Sequence, residues 1–101
     1  MKNYVNVAFM AKTSFEIASL CLEHFRPVEF RLKDDSASHA GHFNGPLDVS
    51  HLSLYIISSF FDKQPLVKRQ RAVNKVLQPF FDQGLHAVQL NIKTPQEAYG
   101  Q

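Results

Sequence analysis

Hydrophobic and polar positions follow two different periods along this chain, and the changes of period divide it into elements. Phe15, Ala18, Leu22 and Phe25 recur at helical spacing and predict a first helix with one apolar stripe. It opens at "TSFE", where Thr13 and Glu16 have the spacing of a capping box. Pro27 ends it, because the residue before a proline avoids the helical region. "VEFRLK" then alternates Val28, Phe30 and Leu32 against Glu29, Arg31 and Lys33, the period-two pattern of a strand with one face buried and one wet. "HLSLYIIS" places Leu52, Leu54 and Ile56 in step as a second strand. "SSFFDKQP" reads as a turn, and Pro65 suits the start of a second helix, where its missing N–H costs nothing. Leu66, Val73, Val76, Leu77 and Phe80 form that helix's apolar face, closed near Gly84. A third strand, "HAVQLNI", carries His86, Val88, Leu90 and Ile92 on one face, and Thr94, Pro95 and Glu97 are spaced to cap a short terminal helix.

The order is therefore α-β-β-α-β plus a tail helix. One apolar face per strand and one apolar stripe per helix predict an α+β fold, an α/β sandwich. Its three-stranded mixed sheet has both main helices on one side. The first two strands should pair antiparallel. The last should run parallel to the second, since a strand–helix–strand crossover joins parallel strands. Residues 13–101 form one domain on this reading, and residues 1–12 a flexible N-terminal tail.

Composition narrows the class without changing that picture. The 101 residues are 45% hydrophobic and 20% charged, with nine Phe and no Trp, an ordinary globular balance. A net charge of +2 permits contact with nucleic acid but does not argue for it. The single cysteine, Cys21, excludes an internal disulfide and any all-cysteine metal site within one chain. It reads as a small buried hydrophobe beside the first helix's stripe. No apolar run approaches a membrane span, and "MKNYVNVAFMAKT" does not read as a signal or transit peptide. A reducing compartment, cytoplasm or mitochondrial matrix, is the expected location.

The candidate chemistry lies in the connection between the first two strands. "DDSASHAGHFNG", residues 34–45, is far longer than an ordinary hairpin loop, and such loops usually carry function or disorder. It holds His39 and His42. His86 begins the last strand, at the end of the sheet where this loop arrives, so it can approach either histidine. Imidazole is a common ligand for borderline metals. Two imidazoles leave a metal under-coordinated, so a tight site needs further ligands from elsewhere. Asp34 and Asp35 are more simply turn residues. His24 reads as solvent-facing and His51 as a solvated or loop-bonded strand end. Catalysis is not expected: Cys21 reads as core, and there is no Gly-rich phosphate cradle, carboxylate pair or G-x-S-x-G elbow. In "KRQRAVNK", Lys68, Arg71 and Lys75 share a helical face with Arg69 alongside. This is a solvated basic face or a surface for phosphate or an acidic partner. No G-x-x-G clamp joins two helices, which disfavours KH-type RNA binding.

These segments together resemble the BolA-like proteins. The resemblance rests on Asp34, Ser36 and His39 as Asp-x-Ser-x-x-His, on Ser50-His51, on the Phe before a basic helix, on His86-Ala87, and on the terminal Thr-Pro-x-Glu. It runs from about the first helix to "TPQE". It implies a domain similar to the class II KH topology and a non-catalytic role in iron–sulfur cluster assembly, trafficking or iron regulation. The implied partner is a monothiol glutaredoxin, with glutathione reached through the complex. A [2Fe-2S] cluster is shared, its BolA-side ligands matching His86 and His39, with His42 in reserve. Replacing thiolate by imidazole makes such a cluster less negative and raises its potential. The resemblance also carries an alternative, a DNA-binding transcriptional regulator using Lys68, Arg69 and Arg71. One departure bears on it: Gln70 stands where the family commonly has a histidine between two arginines.

Overall fold

A computed structural model describes residues 11–36 and 47–100, together with the backbone of residues 2–4. The elements in chain order are β1 (Lys2–Tyr4), α1 (Lys12–Phe25), β2 (Glu29–Asp34), β3 (His51–Ile57), a 3-10 turn (Ser59–Phe61), α2 (Leu66–Asp82), β4 (Ala87–Lys93) and α3 (Pro95–Tyr99). The expected α-β-β-α-β order and tail helix are present. β2 pairs antiparallel with β3, and β3 parallel with β4, as the crossover argument requires. The strand Lys2–Tyr4 was not expected. It lies in the segment read as an N-terminal tail, pairs parallel with β2 and extends the sheet to the order β1-β2-β3-β4.

Leu52, Leu54 and Ile56 alternate onto the core face of β3 and are almost wholly buried. They pack with Phe30 of β2, Ile92 of β4, Phe61 of the turn, and Val73, Leu77 and Phe80 of α2. The expected stripe of α1 is buried at Ala18 and Phe25 and partly at Leu22, but not at Phe15. Ser14, Ile17, Ala18, Cys21 and Phe25 are buried, whereas Phe15 is 46% exposed. The small side chains of Ser14, Ala18 and Cys21 let the helix approach the sheet closely, and a bulky Phe15 has no room there.

Two further expectations are corrected. Thr13 and Glu16 do not cap α1. The helix begins at Lys12, and the Asp48 carboxylate accepts from the amides of Lys12 (3.0 Å) and Thr13 (3.2 Å). A residue 35 positions away thus meets orphan donors at the helix start, among them the Thr13 amide that the capping box would have given to Glu16. At the start of β2, Val28 just before the strand is exposed and Glu29 buried, the reverse of the alternation. The Glu29 carboxylate is held by the Arg31 guanidinium and accepts from the Tyr99 hydroxyl at 2.7 Å. Burial is tolerable for a carboxylate so partnered. The same hydrogen bond to Glu29 raises the Tyr99 phenol to about 12.

At the C-terminal side the expected capping box is observed. Thr94 Oγ1 accepts from the Glu97 amide at 3.2 Å, and Glu97 Oε1 from the Thr94 amide at 2.8 Å.

Candidate metal-binding site

The register sets one end of the sheet apart. Asp34 at the close of β2 stands opposite Leu52, and His51 at the start of β3 pairs with Ala87 at the start of β4. The chain therefore leaves β2 for residues 37–46 beside the first residues of both β3 and β4. His39 and His42, the expected loop ligands, lie outside the described residues. His86 is described: it is exposed and immediately precedes β4.

A small polar network fixes this end. Asp34 Oδ1 accepts from the Ser36 amide at 2.9 Å, an Asx-type turn that bends the chain at the end of β2. Ser36 Oγ accepts from the amides of Ser50 (2.8 Å) and His51 (3.3 Å). Ser50 then reaches both imidazole-bearing residues. Its carbonyl accepts from the amides of His86 (2.9 Å) and Ala87 (3.3 Å), and its hydroxyl lies 2.9 Å from His51 Nδ1. The Asp-x-Ser and Ser-His of the sequence resemblance are thus one hydrogen-bonded unit, and its output is the placement of two histidines.

Those histidines meet. The rings of His51 and His86 have centroids 5.6 Å apart and planes 86° from parallel. The sequence reading assigned His51 a strand-end role and did not pair it with His86. The signal was present in the parallel register, which sets Ser50-His51 against His86-Ala87. Beside His51, Lys33, Asp35, Ser53, Ala87 and Gln89 line a groove of about 430 Å³. Asp35 is occupied within it, accepting from Ser53 Oγ at 2.6 Å and lying 3.7 Å from Lys33 Nζ. Among the described residues, no three His, Cys, Asp or Glu side chains cluster as a complete metal site. Any metal held here needs ligands beyond the pair.

The remaining candidates fall elsewhere. Cys21 is fully buried in the core, and burial pushes its thiol up to about 12, which removes it as a nucleophile or thiolate ligand. Lys68, Arg71 and Lys75 are exposed on α2. Arg69 is not on that face, a correction to the sequence reading. It is 9% exposed and turns inward. Its Nη1 donates to Glu97 Oε1 at 2.6 Å, and its Nε to the Gln64 carbonyl at 2.8 Å. This pairing, with the Thr94 amide, holds the Glu97 carboxyl down at about 2. Arg69 thereby ties α2 to α3.

Comparison with known proteins completes the assignment. The model of the BolA-like protein family matches residues 22–97. The chain belongs to the BolA-like family. SufE-like protein 1 of Arabidopsis thaliana, chloroplastic/mitochondrial by name, is 34% identical over 97 residues, covering 91% of this chain and 26% of that protein. Protein BOLA1, chloroplastic, of the same plant is 39% identical over 79 residues, covering 75% of this chain and 49% of that one. This chain thus spans about a quarter and about half of those two relatives. The solved BolA domain of SufE1 from Arabidopsis thaliana superposes with a TM-score of 0.78 at 34% identity, over 87% of this chain and 98% of that one. Among the described residues, no helix of this BolA-like domain is long and apolar enough to cross a membrane.

Proposed function

We propose that this BolA-like domain is a non-catalytic accessory protein that binds a monothiol glutaredoxin and shares a bridging [2Fe-2S] cluster with it. Its role on this reading lies in iron–sulfur cluster assembly, trafficking or iron regulation. The observation that carries the proposal is His86. It is exposed, anchored through its own amide to Ser50, and located at the end of the sheet where residues 37–46 depart. The buried Cys21 supplies no thiolate, so on this chain's side the donor set is imidazole: His86 with His39, or His42 in reserve. Thiolates come from glutaredoxin and glutathione. Neutral imidazole ligands leave the cluster less negative than an all-thiolate set and raise its potential, which suits transfer or sensing. Lys68, Arg71 and Lys75 are exposed and suit contact with the carboxylates of glutaredoxin or glutathione.

The test is an anaerobic titration of a cluster-loaded monothiol glutaredoxin with this protein, followed by visible absorption and circular dichroism. A saturable spectral change at one-to-one stoichiometry, lost in His86→Ala and weakened in His39→Ala, is expected. An unchanged spectrum refutes the proposal. The DNA-binding alternative loses Arg69, which is engaged by Glu97, and rests on Lys68, Arg71 and Lys75 alone.

A further inference from the structure

We propose that the free edge of β4 is a self-association surface. Two copies of this chain pair antiparallel along it, about a two-fold axis at Gln89, and join their sheets into one. The pairing goes beyond the cluster reading and needs no metal, no cofactor and no residue of the 37–46 segment.

The backbone is the first argument. At one edge of the sheet stands β1, three residues long, and at the other β4, seven residues in unbroken register with β3. Short strands, prolines, charges and bulges keep sheet edges from pairing. From Ala87 to Ile92, β4 has no proline, no charged side chain and no bulge. The Ala87 amide donates to the Ser50 carbonyl at 3.3 Å, and the Lys93 carbonyl accepts from the Ser58 amide at 3.0 Å. In this parallel ladder, residues 87, 89, 91 and 93 therefore turn their backbone groups to β3, and Val88, Leu90 and Ile92 turn theirs outward. The ends of that outward row are taken. The Ile92 carbonyl accepts from Arg69 Nη1 at 3.4 Å, and the His86 amide donates to Ser50 at 2.9 Å. Val88 and Leu90 are left to pair. The antiparallel register that uses both sets Val88 against Leu90 of the second copy, and so places Gln89 opposite Gln89.

The side chains are the second argument, and they select a second copy as the occupant. On the helix-covered face, Val88 and Leu90 are half-buried, whereas Leu52 and Leu54, their register partners in β3, are buried. The apolar surface they still show meets the same two residues of the second copy, and its burial favours pairing. On the other face Gln89 is exposed, and an amide opposite its own copy can both donate and accept. Above the sheet, Val76 and Pro79 mark the side of α2 that faces α1, where they line a groove with Leu20 and His24. At 100° per residue, the opposite flank of α2 carries Gln70, Asn74, Gln78 and Phe81. None of these is charged, and the exposed Lys68, Arg71 and Lys75 lie on the face turned from the sheet. No like charges oppose each other about the axis, so the edge is complementary to itself, as a two-fold interface requires.

The experiment is sedimentation equilibrium of the full chain, reduced and with chelator present, from about 10 µM to about 1 mM, with amide hydrogen exchange at both limits. A reversible monomer–dimer equilibrium is expected, weak because the interface is small. Gln89→Lys sets two cations at the axis from an exposed position, so the fold is kept and the dissociation constant rises at least about tenfold. Gln89→Glu does the same, and an equimolar mixture of the two variants associates at least as tightly as the parent. Arg71→Glu, away from the edge, associates as the parent does. In the dimer the Val88 and Leu90 amides exchange more slowly, while those of Gln89 and Asn91, bonded to β3, are unchanged. A chain that stays monomeric to about 1 mM, a dimer indifferent to Gln89→Lys, or exchange at Val88 and Leu90 that ignores concentration each overturns the inference. Protection of those two amides that appears only on adding glutaredoxin gives the edge to a partner's strand and overturns it too. The sedimentation measurement contains neither glutaredoxin nor metal, so it succeeds or fails apart from the cluster reading.

Discussion

Replacing Ser36 by alanine removes one oxygen atom, and the structure allows the consequence to be worked through. Ser36 Oγ is the acceptor for the amides of Ser50 and His51. Ser50 is 1% exposed and Ser36 5%, so the Ser50 amide cannot turn to water when its acceptor goes. An unsatisfied buried donor costs about 1–3 kcal/mol. The His51 bond is longer, at 3.3 Å, and only partly buried, so it adds little. About 2 kcal/mol is the expected loss. For a domain of this size, 1 kcal/mol corresponds to about 5 °C in Tm, so Ser36→Ala should melt about 10 °C lower.

Thermal unfolding by circular dichroism reads that shift, and amide hydrogen exchange localises it. Protection of the Ser50 amide should fall further than that of Leu54 in the middle of β3, the strand that follows it. Ser53→Ala is the control. Its hydroxyl donates to the Asp35 carboxylate near solvent, and such a change should stay within about 0.5 kcal/mol. If Ser36→Ala melts within 2 °C of the parent, or if Ser50 exchange is unaltered, the network does not organise this end of the sheet. The argument that Ser50 positions both histidines would then fail with it.

Other consequences follow from the same structure. Arg69→Ala should destabilise by about 2–3 kcal/mol in denaturant unfolding, because it removes charge-assisted bonds to Glu97 and leaves the Gln64 carbonyl unpaired, whereas Lys68→Ala should change stability by less than about 0.5 kcal/mol. The Glu97 carboxyl is held below its ordinary value of 4.5 in the folded protein, at about 2. The stability it contributes is therefore complete above that ordinary value and is lost as pH falls towards 2, so Glu97→Gln should flatten the decline in Tm measured between pH 5 and pH 2. Asp48→Ala removes the acceptor at the start of α1 and should cost about 0.5–2 kcal/mol, visible in Tm, while Glu16→Ala should cost little. Cys21 should resist iodoacetamide in the folded protein and react only on unfolding, as counted by mass spectrometry.

Much of this fold was legible because period reports burial directly. The strands at 51–57 and 87–93 and the capping box at Thr94 depend on neighbours close in sequence, and local rules recover them. Three of the misreadings share one physical cause: a partner distant in the chain outcompeted the local one. Asp48 took the Thr13 amide that the capping box assigned to Glu16. Tyr99, 70 positions away, helps Glu29 into the interior. Glu97 drew Arg69 off an exposed face where helical phase alone had left it. Each case is a polar group, and a polar group goes wherever its hydrogen-bond partner is. An apolar group needs only to leave water, so periodicity placed the centre of the core, but not Phe15, Val28 or Leu66 at the element ends, which are exposed.

The site follows the same division. His86 was placed at the correct end of the sheet because it opens a strand, and the topology told which end of the sheet that strand begins at. The contact with His51 was missed because a histidine at a strand end looks indifferent in sequence. Its meaning came from the register: a parallel pairing of His51 with Ala87 places the preceding residue, His86, against the Ser50 carbonyl. Ser36, Ser50 and Asp34 would pass in isolation for loop polarity. Joined, they direct two backbone segments and one ring toward a common point. On the proposed reading the chemistry at this end of the sheet depends on the imidazoles, but the placement of His51 and of the His86 backbone depends on the serines. A variant that keeps both histidines and loses Ser50 Oγ is therefore the sharpest separation of ligand identity from ligand placement. If placement matters as the hydrogen bonds indicate, Ser50→Ala will leave the donor atoms in the chain and still weaken the spectral change in the glutaredoxin titration.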